Sequence, residues 1–134
     1  MQRFVYSGRL KLIGEEHEET LIAASNYANS LVNIKRFEEA KSVLRKMMPV
    51  ARRVLGVTYE LTLRMKWNYA RALYTDTGAT LDDLREAVTT LEKTEPATRR
   101  VLGGAHPLTM DIEKSLRNAQ AKLRARETLS AGSA

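Results

Sequence analysis

The chain contains no cysteine, which excludes a disulfide framework and a thiolate zinc site and fits a reducing compartment. Aromatic residues make up only 6% of it, and period-two alternation rich in β-branched residues is missing, so nothing points to strands. Long apolar runs are missing as well. No stretch approaches the roughly 18 residues that a membrane helix needs, and residues 1–14 lack the apolar core of a signal peptide. These absences lead us to expect a cytoplasmic protein without a membrane segment.

Catalytic and cofactor signatures are equally scarce. The two histidines, His17 and His106, lie far apart in sequence. His17-Glu18-Glu19 opens like a zincin motif, but Leu21 stands where the second histidine must be. Neither a G-x-x-x-x-G-K-[ST] loop nor a G-x-G-x-x-G turn occurs. The pairs Asp82-Asp83 and Glu38-Glu39 are adjacent in sequence, so neither converges on one point of a helix face; they suit solvated helix starts, where the dipole favours them. The sequence therefore predicts no enzyme, no metal and no cofactor.

What is present is helix-forming composition and an internal repeat. The chain is 43% hydrophobic and 28% charged, with 22 basic and 16 acidic residues giving a net charge of +6. Pro49-Val50-Ala51-Arg52-Arg53-Val54-Leu55-Gly56 recurs as Pro96-Ala97-Thr98-Arg99-Arg100-Val101-Leu102-Gly103, an offset of 47. Asn26-Tyr27-Ala28-Asn29-Ser30-Leu31 recurs as Asn68-Tyr69-Ala70-Arg71-Ala72-Leu73, an offset of 42. The five extra residues must fall around 75–81, where Thr-Asp-Thr-Gly-Ala-Thr-Leu is turn chemistry. A third start follows at Gly103, which has His106 and Thr109 at the spacings that separate Gly14 from His17 and Thr20.

Periodicity within each unit is helical. Leu21, Ala24, Tyr27, Ala28 and Leu31 share one face, and four later stripes repeat the pattern. The spacing predicts an all-α fold with helices near 17–34, 36–55, 58–76, 80–102 and 106–127. Thr80 and Asp83 form a capping-box pattern, Pro107 suits a first helical turn, and Gly56 and Gly103 suit helix ends. The histidines are expected to pack or hydrogen-bond at helix starts. Pro49 and Pro96 fall inside predicted helices and predict a kink or break just before each. Residues 3–13 read as the tail of a preceding helix or an N-terminal extension, and 129–134 as a frayed end.

The pattern L-G-x-x-H-P-x-T, then N-x-A-x-x-L, then [FY]-E-E-A, then a basic segment ending V-L-G, resembles the tetratricopeptide repeats of kinesin light chains and the related nephrocystin-like proteins. It is carried by Gly14, His17, Thr20, Asn26, Ala28, Leu31, Phe37-Glu38-Glu39-Ala40 and Val54-Leu55-Gly56, by Thr62, Asn68, Ala70, Leu73, Glu86-Ala87 and Val101-Leu102-Gly103, and by His106-Pro107-Leu108-Thr109. The 42-residue unit exceeds the ordinary repeat of about 34, as suits the light-chain subtype. Departures are Glu18 where the family prefers proline, the missing His-Pro pair in the second unit, and Arg117 at a small inward position. The resemblance implies antiparallel helical hairpins stacked as a short right-handed solenoid: one domain, with repeat 1 over about 14–56, repeat 2 over 56–103, and a polar-faced capping helix over 104–127.

A function follows from the resemblance alone. In such arrays the first helix of each hairpin lines a concave groove that binds extended peptides. The matching positions are Ile22, Ser25, Asn29, Val32 and Asn33 in the first unit and Arg64, Trp67, Arg71, Tyr74 and Thr75 in the second. Asn26 and Asn68 match asparagines that hold the backbone of a bound peptide, an amide offering both a donor and an acceptor; both are equally open to a structural role in bridging helices. Arg64 and Arg71 would clamp carboxylates, and Trp67 and Tyr74 would supply aromatic anchors; Trp67 also falls on an apolar stripe and is open to a core role. The expected partner is a protein or peptide, acidic in character. Nucleic-acid binding through the basic outer face is the alternative, opposed by the few groove aromatics and the interleaved glutamates. Open ends of such a stack offer a route to a homodimer.

Overall fold

A computed structural model describes residues 5–8, 14 and 17–132 of the chain. Five long helices follow one another: α1 (Glu18–Asn33), α2 (Phe37–Val54), α3 (Glu60–Tyr74), α4 (Leu81–Leu102) and α5 (Pro107–Gly132). Among the described residues there is no strand. Of the expected N-terminal helix tail, residues 5–8 are helical, and among them Tyr6 is buried and stacks on Tyr27 with ring centroids 5.8 Å apart; the rest of 1–13 lies outside the described residues.

The helix starts are set by local chemistry. The Glu19 N–H donates to His17 Nδ1 at 3.1 Å, and the Leu108 N–H donates to His106 Nδ1 at 3.1 Å. Both histidines thus satisfy an orphan donor in a first turn, as capping side chains do. Thr80 and Asp83 form the expected capping box: Asp83 N–H donates to Thr80 Oγ1 at 3.1 Å, and Thr80 N–H donates to Asp83 Oδ2 at 3.0 Å. Helices α2 and α4 give way to Gly56 and Gly103, whose φ of 105° and 91° lie where a side chain is strained.

Of the kink or break expected at each proline, the break is corrected. Neither Pro49 nor Pro96 breaks its helix; α2 and α4 run through them. Both prolines are exposed, whereas their neighbours Met47, Val50 and Ala51, and Leu91, Thr94 and Thr98, are buried. Packing on the inner face holds each helix together where one backbone bond is lost. The expected frayed end at 129–134 is also corrected, because α5 continues to Gly132. Its last turns are tied to the α3–α4 loop: Lys122 Nζ donates to Tyr74 O at 3.0 Å and Arg126 Nη1 to Ala79 O at 2.9 Å. Positions 133–134 lie outside the described residues.

Each helix packs against the next, and the odd-numbered helices also pack against each other, α1 on α3 and α3 on α5. No Cα atom of α2 comes within 8 Å of one in α4. The result is a row of mutually packed odd-numbered helices, with α2 and α4 lying against that row and not against each other's backbone. The core runs between the row and these two helices through Leu21, Leu44, Met47, Leu63, Leu73, Leu91, Leu108 and Ile112. On α5, Met110 and Arg117, the counterparts of buried Leu63 and Ala70, are exposed.

Units are also joined near the helix starts. The Tyr59 hydroxyl donates to Glu18 Oε1 at 3.1 Å, and His106 Nε2 lies 3.6 Å from Glu60 Oε1. By the repeat offsets Tyr59 and His106 are the same position, and so are Glu18 and Glu60. One contact type is therefore used twice, between the start of each unit and the first turn of the one before.

Candidate functional site

The inner faces of α1, α3 and α5 enclose a depression of about 340 Å³, lined by Ser25, Asn26, Asn29, Arg64, Trp67, Asn68 and Asp111. Six of these seven residues are among those the sequence singled out. A helix places residues three and four apart on one face, so Ser25, Asn26 and Asn29 of α1 and Arg64, Trp67, Asn68 and Arg71 of α3 form two facing rows.

Arg71 is the centre of the arrangement. Its Nη1 donates to Asn29 Oδ1 at 2.9 Å and to Asn68 Oδ1 at 3.1 Å, and its Nη2 donates to Asn33 Oδ1 at 3.0 Å. The guanidinium lies over the Trp67 ring, 4.7 Å from its centroid, a cation–π geometry. Burial pulls the Arg71 pKa below its ordinary value, while Tyr74 and Asp111 act in the opposite sense. The group stays charged, since arginine does not deprotonate in proteins. No carboxylate lies within ion-pair distance of it among the described residues. A half-buried cation is thus held by three neutral amide oxygens and an indole face.

Two further polar groups in the depression have no partner. Asn68 Nδ2 and Ser25 Oγ are buried without a hydrogen bond, although a buried donor left unpaired costs about 1–3 kcal/mol. Asn68 uses its acceptor on Arg71 and keeps its donor free. Asn26 is exposed at the rim.

Other expected residues are placed differently. Arg64 does not stand free to clamp a carboxylate with Arg71; its Nη2 donates to Glu60 Oε1 at 3.1 Å, one helical turn back. Tyr74 is corrected as a groove anchor: it is 8% exposed, lies under Lys122 with Nζ 5.6 Å from the ring centroid, and lines a separate depression beside Ala79 and Leu84. Trp67 both packs on the core and lines the depression. Its Nε1 donates to Ser115 Oγ at 2.8 Å, and one ring face is turned to Arg71.

Asp111 and Ser115 of α5 belong to the site and escaped the sequence reading. The repeat offsets would have found them: Asp111 is the counterpart of Ile22 and Arg64, and Ser115 that of Asn26 and Asn68. Reading α5 only as a cap hid that its inner face continues the row.

No protein-family model, curated protein or solved structure matches the chain. Function has to be argued from geometry. Among the described residues no three His, Cys, Asp or Glu side chains are grouped to hold a metal ion, and no helix is long and apolar enough to cross a membrane. What the depression offers is hydrogen-bond donors, the Arg71 cation without an ion pair, the Asp111 carboxylate and one aromatic face.

Proposed function

We propose that the chain is a protein-interaction module of the tetratricopeptide kind, whose inner groove takes an extended segment of a partner protein and places a carboxylate of that segment on Arg71. The observation that carries this reading is the Arg71 guanidinium, half-buried among amide oxygens with no carboxylate at ion-pair distance among the described residues. Three of its five N–H donors are used, so two remain for a ligand, and a carboxylate would replace neutral acceptors with a charge-assisted bond roughly twice as strong. The free donor of Asn68 and the hydroxyl of Ser25 suit backbone carbonyls of an extended chain, and Asp111 across the groove suits an N–H or a basic side chain next to that carboxylate. A catalytic role has no supporting constellation.

Asn68→Asp tests this reading from inside the site. The substitution is nearly isosteric, removes the unpaired Nδ2 and sets a carboxylate beside Arg71, where Asn68 Oδ1 now lies at 3.1 Å. The protein should keep or gain stability while its groove blocks itself. Selection of a random peptide library on the wild-type protein should enrich Asp- or Glu-containing sequences whose affinity for Asn68→Asp falls at least tenfold. Failure to enrich any peptide, or equal binding to both proteins, would overturn the proposal.

A further inference from the structure

Between α2 and α4, over α3, lies a second cleft, about 240 Å³ in volume, lined by residues of all three helices. Its floor is Met48 and Tyr69, and Arg52, Lys66 and Lys93 stand around it. None of these three cations forms an ion pair among the described residues. Lys66 reaches only the Val57 carbonyl, at 3.5 Å, and burial, then the charge of Arg52, lowers its pKa. The Tyr69 hydroxyl donates to Glu86 Oε2 at 2.8 Å, so Glu86 is engaged at the floor and not with the three cations.

The chain carries its own control. At the offset of 47, Arg52, Met48 and Lys66 correspond to Arg99, Glu95 and Glu113. Arg99 Nε donates to Glu95 Oε1 at 3.0 Å, and its Nη2 pairs with Glu113. One copy of this position is therefore neutralised by two built-in carboxylates. In the other copy a methionine and a lysine replace them, which adds apolar surface and a further positive charge in place of two negative ones.

We propose that the Arg52–Lys66–Lys93 cleft is a second binding site, distinct from the inner groove, and that it takes an acidic segment of a partner protein. An apolar side chain of that segment covers Met48 and Tyr69, and flanking Asp or Glu carboxylates take the places that Glu95 and Glu113 hold around Arg99. The cleft is smaller than the roughly 300–1,000 Å³ of ordinary small-molecule pockets, so it suits a single large side chain with its neighbours lying along the rim. Stacked bases are disfavoured, because the Tyr69 ring is already flanked by the Arg45 guanidinium, 5.9 Å from its centroid, and single-stranded nucleic acids rely on free aromatic faces.

The test uses the acetylated, amidated peptide Glu-Glu-Phe-Glu-Glu, its Gln-Gln-Phe-Gln-Gln counterpart and the full ¹⁵N-labelled chain. The acidic peptide should shift the amides of Met48, Thr90, Lys93 and Thr94, and the glutamine peptide should bind at least tenfold more weakly. The double variant Met48→Glu/Lys66→Glu rebuilds the Arg99 arrangement and should lose about tenfold or more in affinity. Should that variant fail to fold, Arg52→Gln/Lys93→Glu, both at exposed positions, carries the same expectation. Shifts confined to Asn29, Trp67 and Asn68 would assign the peptide to the inner groove and overturn the proposal. So would unchanged affinity in the folded charge variants, equal shifts from inorganic phosphate, or tighter binding of oligouridylate at the same amides.

Discussion

Lys35 has a φ of 65°, the one positive value at a non-glycine residue among the described residues. It follows α1, where Arg36 N–H donates to Leu31 O at 2.8 Å and reverses the chain. A left-handed conformation costs a residue with a side chain roughly 1–2 kcal/mol, whereas the entropy lost by fixing a glycine is about 0.5–1 kcal/mol. Lys35→Gly should therefore stabilise the protein by about 0.5–1 kcal/mol, and Lys35→Val should destabilise it by more than about 1 kcal/mol, β-branching being worst in this region. Urea unfolding with an unchanged slope measures both; destabilisation by glycine would show that the lysine side chain contributes more than its strain removes. The expected helices over 17–34 and 36–55 locate this turn, but no glycine marks its left-handed residue, unlike Gly56 and Gly103. The candidate site was legible to a similar degree. Residue types and helix faces followed from repeat register, which makes Asn29 and Arg71 the same position in successive units. That their side chains meet, while Arg64 turns to Glu60 and Tyr74 is buried, depends on rotamers and on α5, and the linear pattern encodes neither.

At the scale of elements, helix existence and boundaries were legible because periodicity and caps agree. Four of the five helices begin and end within two residues of the expected positions, and the fifth runs longer at its C-terminus. Where propensity and tertiary packing disagree, packing decides, as the unbroken helices around Pro49 and Pro96 demonstrate. The α4 cap offers a pH-dependent test of local reasoning. The backbone N–H of Thr80 holds the Asp83 carboxyl below its ordinary pKa; burial opposes it, and the Thr80 side chain and the charges of Lys41 and Arg45 add smaller effects in the lowering sense. A carboxyl depressed in the folded state stabilises fully above its unfolded pKa, near 4, and that contribution is lost as pH falls through the folded value. Asp83→Asn should cost about 0.5–1 kcal/mol at pH 7, as other helix-start charges do, and the gap to wild type should close between about pH 5 and pH 2. Thermal melts across that range measure it, and a gap that stays constant with pH would mean that Asp83 acts by shape and not by charge.

For the molecule as a whole, the repeat offsets determine which residues become neighbours between units. They put Tyr59 on Glu18 and His106 beside Glu60, and they make the Arg52 and Arg99 environments comparable. The contrast between those two environments was invisible in the sequence, since Glu113 comes from a different helix than Arg99. The same register carries Thr20, Thr62 and Thr109 into the interior, where all three are fully buried and their hydroxyls have no hydrogen-bond partner. Position by position these threonines are equivalent, one at the start of each first helix. A buried hydroxyl without a partner costs about 1–3 kcal/mol, and valine keeps its shape without the polar atom. Each Thr→Val change should then stabilise by about 1 kcal/mol. If the protein behaves as a row of units coupled only to their neighbours, its stability is close to a sum over units, and changes in separate units add. The triple variant T20V/T62V/T109V should gain about 3 kcal/mol in urea unfolding, with a single transition. Destabilisation by any single change would mean that its hydroxyl is paired in solution. A triple gain well below the sum would mean that the units are strongly coupled, and the row would then have to be treated as one indivisible core.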